Sequence, residues 1–241
     1  MINVTGSLLE RWKDVPESDW EDWHWQIGNR IMTYDGLKDV LQLTPSEVIG
    51  VKRSKGRLLM AIPPYWLSLI DPMRQTCPIR RQAIPTAEEF EVSLNDMEDP
   101  CGEDKDSPVP GLVHRYPDRV LLLATEKCAM YCRHCTRRRL VGSETHLTSR
   151  QNFEQAYDYI RSNRRVRDVL ISGGDPLMLP DETIEDILKN LRAIPNVEFI
   201  RLGTRMPVTV PMRVTENLIS IFKRYSPIWV SLHFNHPKEI T

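Results

Sequence analysis

The feature that most constrains the fold is an alternation of short apolar runs with helical segments after Arg119. The apolar runs cover residues 120–124, 168–172, 197–203 and 228–234. Between them, apolar residues recur at helical spacing over residues 153–160, 184–191 and 218–222. Strands that alternate with helices favour parallel strands joined by right-handed crossovers. The predicted fold class is therefore α/β, with a parallel sheet of the barrel type.

Four βα strands are too few for a closed barrel, because a TIM-type barrel contains eight. The alternation of strands and helices also continues up to the last residues before Thr241. We therefore expect residues 120–241 to form the first four βα units of a longer TIM-type barrel. The predicted architecture is a partial (βα) barrel.

The first part of the chain, residues 1–119, predicts an α-helical extension with a connector. One or two helices are predicted over residues 18–43, and Thr44, Pro45 and Glu47 indicate the start of a helix that runs to Ser54. Repeated prolines and the acidic stretch 95–106 predict an extended, solvated connector. Large aromatic side chains usually anchor a core, and this role is predicted for Trp12, Trp20, Trp23 and Trp25.

Charge and hydropathy narrow the range of partners. The net charge is −1, so the chain has no excess of cations to neutralise the phosphates of a nucleic acid. No apolar run comes close to the length of about 20 residues that a membrane helix needs. The first four residues, Met1 to Val4, do not begin a secretory signal. A cytoplasmic protein that acts on small molecules, with no nucleic-acid or membrane partner, is expected.

Three of the five cysteines lie close together in a C-x3-C-x2-C pattern. Cys128, Cys132 and Cys135 follow the first predicted strand directly. This grouping is a poor disulfide framework, and metal ligation is the stronger interpretation in a reducing cytosol. Three thiolates can hold three corners of a [4Fe-4S] cluster and leave the fourth iron open for a reactant. A zinc site completed by His134, or a set of inert cysteines, is the alternative.

A glycine-rich segment follows the second predicted strand, so it is expected at the same end of the sheet as the cysteines. Its residues are Ser172, Gly173, Gly174 and Asp175, followed by proline. Glycines permit a close approach of backbone to a ligand, and Asp175 is able to accept a hydrogen bond from an ammonium group. Active sites of such barrels lie at the carboxyl ends of the strands.

Together, the cysteine spacing and the glycine-rich segment resemble the radical SAM (S-adenosylmethionine) superfamily. The resemblance implies that Cys128, Cys132 and Cys135 hold a [4Fe-4S] cluster. It implies that the open iron binds the amino and carboxylate groups of SAM, and that one electron cleaves SAM to a 5′-deoxyadenosyl radical. It also implies that the segment 172–175 contacts the methionyl amino group of SAM.

A narrower resemblance, to the lysine 2,3-aminomutase family, extends over nearly the whole chain. It is carried by residues 10–30, 107–111, 114–119, 135–139 and 233–237. The resemblance implies interconversion of L-lysine and L-β-lysine, with pyridoxal 5′-phosphate (PLP) as a further cofactor. It implies a one-electron reductant such as flavodoxin or ferredoxin, and a homo-oligomer.

The aminomutase resemblance also implies roles for individual residues. Arg137 matches the position that holds the α-carboxylate of the substrate, and His233 matches a position that lines the SAM site. Thr204 and Arg205 are candidates for contacts to the ribose or carboxylate of SAM. The positions near PLP are matched by Arg115, Tyr116 and Arg119.

Some family features have no counterpart in this sequence. No Gly-Gly-Gly-Lys stretch occurs, so the lysine that forms the PLP Schiff base is not matched. The acidic pair that recognises the ε-ammonium group and the cysteines that bind a structural zinc also belong to parts of the family beyond this chain. Related aminomutases that act on glutamate, arginine or a lysine of elongation factor P are alternatives. An inactive cluster-binding fragment and a zinc-binding interaction module also remain open.

Overall fold

A computed structural model describes residues 10–54, 59–142 and 149–241. The expectation about Met1 to Val4 lies outside these residues. One five-stranded sheet has the strand order β1-β2-β3-β4-β5. The strands are β1 (Leu112–Tyr116), β2 (Arg119–Thr125), β3 (Asp168–Gly173), β4 (Phe199–Thr204) and β5 (Ile228–Leu232).

Ten α-helices occur in the described ranges, and most of those before the sheet are short. They are α1 (Glu17–Trp20), α2 (Trp23–Gly28), α3 (Tyr34–Lys38), α4 (Pro45–Arg53), α5 (Pro64–Ser68), α6 (Pro78–Arg81), α7 (Arg150–Ser162), α8 (Asp181–Arg192), α9 (Met206–Thr209) and α10 (Glu216–Arg224). None of these helices has the length and apolar composition that a bilayer span requires.

The sheet confirms the α/β prediction and the partial barrel. Strands β2 to β5 pair in parallel, and the three predicted amphipathic helices appear as α7, α8 and α10. Strand β4 begins two residues later than predicted, and β5 ends two residues earlier. The side chains of β5 from Trp229 to Leu232 are exposed at the edge of the sheet.

Strand β1 is absent from the sequence-based prediction. It pairs antiparallel with β2 through a tight turn, with Tyr116 opposite Arg119. Only Leu112 and Val113 of its five residues are buried, and the remaining three are polar or exposed. Two apolar residues are too few for a recognisable strand pattern, because strand signals depend on alternation over at least four residues.

The prediction of one or two helices over residues 18–43 is wrong, because three short helices occupy this range. Asp22 caps α2 by accepting a hydrogen bond from the His24 amide, and Thr33 caps α3 through the Gly36 amide. Each cap begins a new helix and so interrupts the preceding one. The predicted start at Thr44 is confirmed: Thr44 and Glu47 form a capping box, and α4 ends at Arg53.

The helices and the sheet enclose two groups of buried apolar residues. One lies between the sheet and helices α7, α8 and α10. The second lies in the N-terminal region around Trp66, and it includes Met130 and Val208 from the second half of the chain. Trp12, Trp20 and Trp25 pack in this second core, and Trp23 packs against the first. The predicted anchoring role of the tryptophans is therefore confirmed.

A buried ion pair connects two elements of the N-terminal region. The Nε and Nη2 atoms of Arg80 each lie 2.7 Å from a carboxylate oxygen of Glu47, the residue that also caps α4. Burial raises the pKa of Glu47, but hydrogen bonds from Arg80 and Thr44 outweigh this effect and hold the pKa below its usual value. The charged form of Glu47 therefore stabilises the fold.

Replacing Glu47 by Gln should lower the free energy of unfolding by about 3–5 kcal/mol, since Arg80 then remains buried without its partner. Because the folded pKa is depressed, the contribution is present above about pH 4.3 and is lost as the pH falls through the folded value. Denaturant unfolding at several pH values measures both effects. Asp35→Asn, which breaks an exposed pair with Lys38, is the control and should change stability little. Equal losses in both variants would contradict the role of burial.

Candidate active site

A cavity of about 650 Å³ opens at the carboxyl ends of the parallel strands. Its volume lies within the range of about 300–1,000 Å³ that is typical of small-molecule sites. Most of the residues singled out in the sequence line this one cavity. They are Cys128, Cys132, Cys135, Arg137, Ser172, Gly173, Gly174, Asp175, Thr204, Arg205 and His233.

The three clustered cysteines are unbridged and face the cavity. Burial raises the pKa of each thiol, that of Cys128 well above its usual value. Three thiolates are therefore stable here only when a cation compensates their charge. Iron supplies this charge in iron–sulfur sites. The donor set and its placement at the strand ends thus fit a [4Fe-4S] cluster.

A single metal ion is a poorer match to the same residues. Within the described ranges, no three side chains of His, Cys, Asp or Glu come together as ligands of one ion. His134 lies instead beside His233, with 5.5 Å between the ring centres.

The loop that carries the cysteines has no helix or strand of its own and is held by the N-terminal region. Nη1 of Arg30 donates to the carbonyl oxygen of Cys128 at 2.9 Å. The Arg133 amide donates to the carbonyl of Gln82 at 2.9 Å, and its guanidinium pairs with both carboxylate oxygens of Glu89. The N-terminal region thus holds the cysteine loop from one side, a role that the sequence did not indicate.

The glycine-rich segment supports the cysteine loop from the other side. Gly173 has a φ of +115°, a conformation that favours glycine. A Cβ atom on Gly174 would lie 2.4 Å from the carbonyl oxygen of Lys127, the residue before Cys128. The Asp175 amide donates to this same oxygen at 2.8 Å. These two glycines therefore approach the backbone next to the cysteine loop closely.

Asp175 is buried, and its carboxylate has donors from the protein. Thr204 donates from its hydroxyl at 2.6 Å, and the amide of Arg205 donates at 2.8 Å. The Leu177 amide is a third donor, at 3.0 Å. Burial nevertheless raises the pKa of this carboxyl group. These hydrogen bonds join the ends of β3 and β4. That Asp175 also accepts a hydrogen bond from the ammonium group of SAM stays a prediction.

Arg137 reaches the cavity, but its guanidinium is also paired within the protein. Its Nε lies 2.8 Å and 3.0 Å from the two carboxylate oxygens of Glu103, and its Nη2 lies 2.7 Å from one of them. Glu103 is buried, whereas the sequence predicted a solvated connector here. The prediction of a solvated segment is therefore wrong at Glu103, which is buried in an ion pair with Arg137.

The three predicted PLP contacts are not brought to the cavity. Arg115, Tyr116 and Arg119 lie at the turn between β1 and β2, and none of them lines the cavity. Their hairpin ends at the amino end of β2, whereas the cysteine loop follows its carboxyl end. Arg115 pairs with Asp106, and Arg119 with Asp118.

Comparison with known proteins agrees with the fold and with the cavity. Residues 122–241 match the family model of the radical SAM superfamily. A parallel sheet with three clustered cysteines after its first parallel strand is the arrangement expected of such proteins. The chain belongs to the radical SAM superfamily. Membership implies a [4Fe-4S] cluster and SAM as cofactors.

Curated relatives give a more specific resemblance. The chain is 54% identical to L-lysine 2,3-aminomutase of Clostridium subterminale over 96% of this chain and 56% of that protein. It is 49% identical to L-lysine 2,3-aminomutase of Bacillus subtilis over 97% of this chain and 50% of that protein. Glutamate 2,3-aminomutase of Clostridioides difficile is 44% identical over 93% of this chain and 53% of its own length. The chain spans about half the length of these relatives.

Gly174→Ala should displace the cysteine loop, because the added methyl group has no room beside the Lys127 carbonyl. We expect a loss of about 1–3 kcal/mol in stability and less iron and sulfide per chain after anaerobic reconstitution. Gly28→Ala is the matched control, since nothing lies within 4 Å of its added Cβ. A parental cluster content in Gly174→Ala would contradict the supporting role.

Proposed function

We propose that this chain is the cluster- and SAM-binding part of an amino-acid 2,3-aminomutase, an isomerase, with L-lysine as substrate. The observation that carries the proposal is the single cavity that collects three unbridged cysteines and the glycine-rich segment at the strand ends. The high identity to L-lysine 2,3-aminomutases supports the choice of reaction and substrate.

In this proposal Cys128, Cys132 and Cys135 hold the cluster through their thiolates. The cluster, when present, supplies one electron for reductive cleavage of SAM to a 5′-deoxyadenosyl radical. The protein contributes binding, orientation and exclusion of water around the reacting groups. Flavodoxin or ferredoxin is the proposed donor of the electron.

The residues around the cysteines bind and orient the small molecules. Ser172 and Gly173 line the cavity at the end of β3 and are proposed to contact the methionyl part of SAM, and His233 lines it after β5. Arg137 presents a guanidinium to the cavity, which suits the planar carboxylate of an amino acid. Glu103 pairs with both Nε and Nη2 of this guanidinium and so limits its orientation.

PLP is proposed on the resemblance to aminomutases alone. Arg115, Tyr116 and Arg119 do not form an anion site at the cavity, and the Schiff-base lysine of the family is not matched in this sequence. The described lining of the cavity therefore adds no support for PLP beyond the resemblance. No step of the proposed function is derived through PLP.

Glutamate is the second candidate substrate, because a glutamate 2,3-aminomutase is 44% identical to this chain. Both amino acids carry the α-carboxylate that Arg137 would bind, so this residue does not discriminate between them.

A cytoplasmic location, a homo-oligomeric state and a division of the chain into residues 1–119 and 120–241 are further proposals. The core around Trp66 supports an N-terminal unit, whereas β1, which lies within residues 1–119, pairs with β2 and belongs to the sheet.

Cys132→Ala should abolish formation of 5′-deoxyadenosine from SAM, because two thiolates cannot hold the cluster in place. The measurement is product formation by reconstituted protein with dithionite under anaerobic conditions. Cys101→Ala, which removes a cysteine that does not line the cavity, should retain SAM cleavage. Undiminished cleavage by Cys132→Ala would refute the ligand assignment.

Arg137→Lys should weaken the binding of L-lysine about tenfold, or by about 1.4 kcal/mol, because an ammonium replaces a bidentate guanidinium. Cluster content should not change. Equilibrium binding of L-lysine and of L-glutamate to reconstituted protein tests both candidate substrates. Arg139→Lys is the control, since Arg139 pairs with Asp99 and Asp104 and does not line the cavity. Equal affinities in both variants would count against the carboxylate role.

A further inference from the structure

One buried arginine reaches a cysteine sulfur directly. Arg205 follows β4, and its Nη1 atom donates to Sγ of Cys132 at 2.9 Å. Only 7% of Arg205 is exposed. The sequence made this residue a candidate for a contact to the ribose or carboxylate of SAM, but its guanidinium points to the sulfur of the middle cysteine.

Three separate segments hold the guanidinium of Arg205 in this orientation. Nη2 donates to Oε1 of Gln82 at 2.5 Å and lies 3.3 Å from Oε1 of Glu239. The guanidinium carbon lies 4.9 Å from the centre of the Trp66 ring, a cation–π distance. Gln82 also donates to Glu239 at 2.7 Å, so the partners of Arg205 are themselves connected.

The backbone of Arg205 is positioned as firmly as its side chain. Its amide donates to Asp175 at 2.8 Å, and this carboxylate also accepts from the neighbouring Thr204. Asp175 therefore sets where the side chain of Arg205 begins, and the three other segments set where it ends. A side chain fixed at both ends presents the same N–H group to Cys132 without further ordering.

A hydrogen bond and a positive charge at a ligand sulfur stabilise the electron-rich form of an iron–sulfur cluster. Reduction potentials of such clusters depend on hydrogen bonds to the sulfurs, on net charge and on exposure to solvent. We propose that Arg205 is a positioning residue that acts through Sγ of Cys132 to raise the reduction potential of the cluster. The inference rests on the proposed assignment of the three cysteines as cluster ligands.

The direct test is the reduction potential of the reconstituted cluster, titrated anaerobically with dithionite and followed by EPR. Arg205→Lys keeps the positive charge but loses the fork, and Arg205→Met loses both. We expect the potential to become more negative in Arg205→Lys and still more negative in Arg205→Met. The g values of the reduced cluster should shift as well.

Arg213→Lys is a closely matched control. Arg213 is also buried, pairs with Asp181 at 2.6 Å and lies 4.6 Å from the ring centre of Trp23. It donates to backbone carbonyls instead of a cysteine and does not line the cavity. A merely structural role of Arg205 would leave the potential of all three variants at the parental value, and this result would overturn the proposal.

If neither Arg205 variant retains a cluster, the reduction potential is measured in a variant of Gln82 instead. Gln82→Leu removes the acceptor for Nη2 without changing any charge, so it loosens Arg205 and leaves the cysteines intact. We expect a smaller shift of the potential in the same negative direction, and a parental potential in Gln82→Leu would then overturn the proposal. Failure of the parent chain itself to assemble a cluster would instead refute the proposed function, and the inference with it.

Discussion

The site depends on keeping three buried thiols in a loop that has no regular structure. The loop has no helix or strand of its own to order it. Contacts with other parts of the fold must therefore offset the conformational entropy that the loop loses on folding. Gly174 approaches the backbone of Lys127 from the side of the sheet, and Arg133 attaches the loop to the N-terminal region. The cysteine loop is thus clamped between two parts of the chain that are distant in sequence.

This arrangement gives the N-terminal region a role in the chemistry. Met130 packs into the N-terminal core, and Arg30 donates to the carbonyl of Cys128. Gln82 and Trp66 contact Arg205, which in turn contacts Cys132. The N-terminal region therefore contacts both the cysteine loop and the guanidinium that reaches Cys132. Removing it would take away Gln82 and Trp66, two of the partners that hold the guanidinium of Arg205.

Local patterns predicted the parallel strands, the amphipathic helices and the cysteine loop well, because periodicity and spacing are properties of neighbouring residues. The capping box at Thr44 is equally local and was equally predictable. Strand β1 was not predictable, since its pairing with β2 replaces the apolar pattern that it lacks. The burial of Glu103 was missed for a different reason, because its partner Arg137 is 34 residues away. Arginines such as Arg115 and Arg205 look alike in sequence, and only their distant partners distinguish them.

In the proposed function, the three cysteines hold a cluster with one iron open to SAM. The most direct measurement is the EPR spectrum of the anaerobically reconstituted and reduced protein, recorded before and after addition of SAM. We expect the signal of a reduced [4Fe-4S] cluster whose g values change when SAM is added. A protein that assembles no cluster, or a cluster whose spectrum is indifferent to SAM, would contradict it.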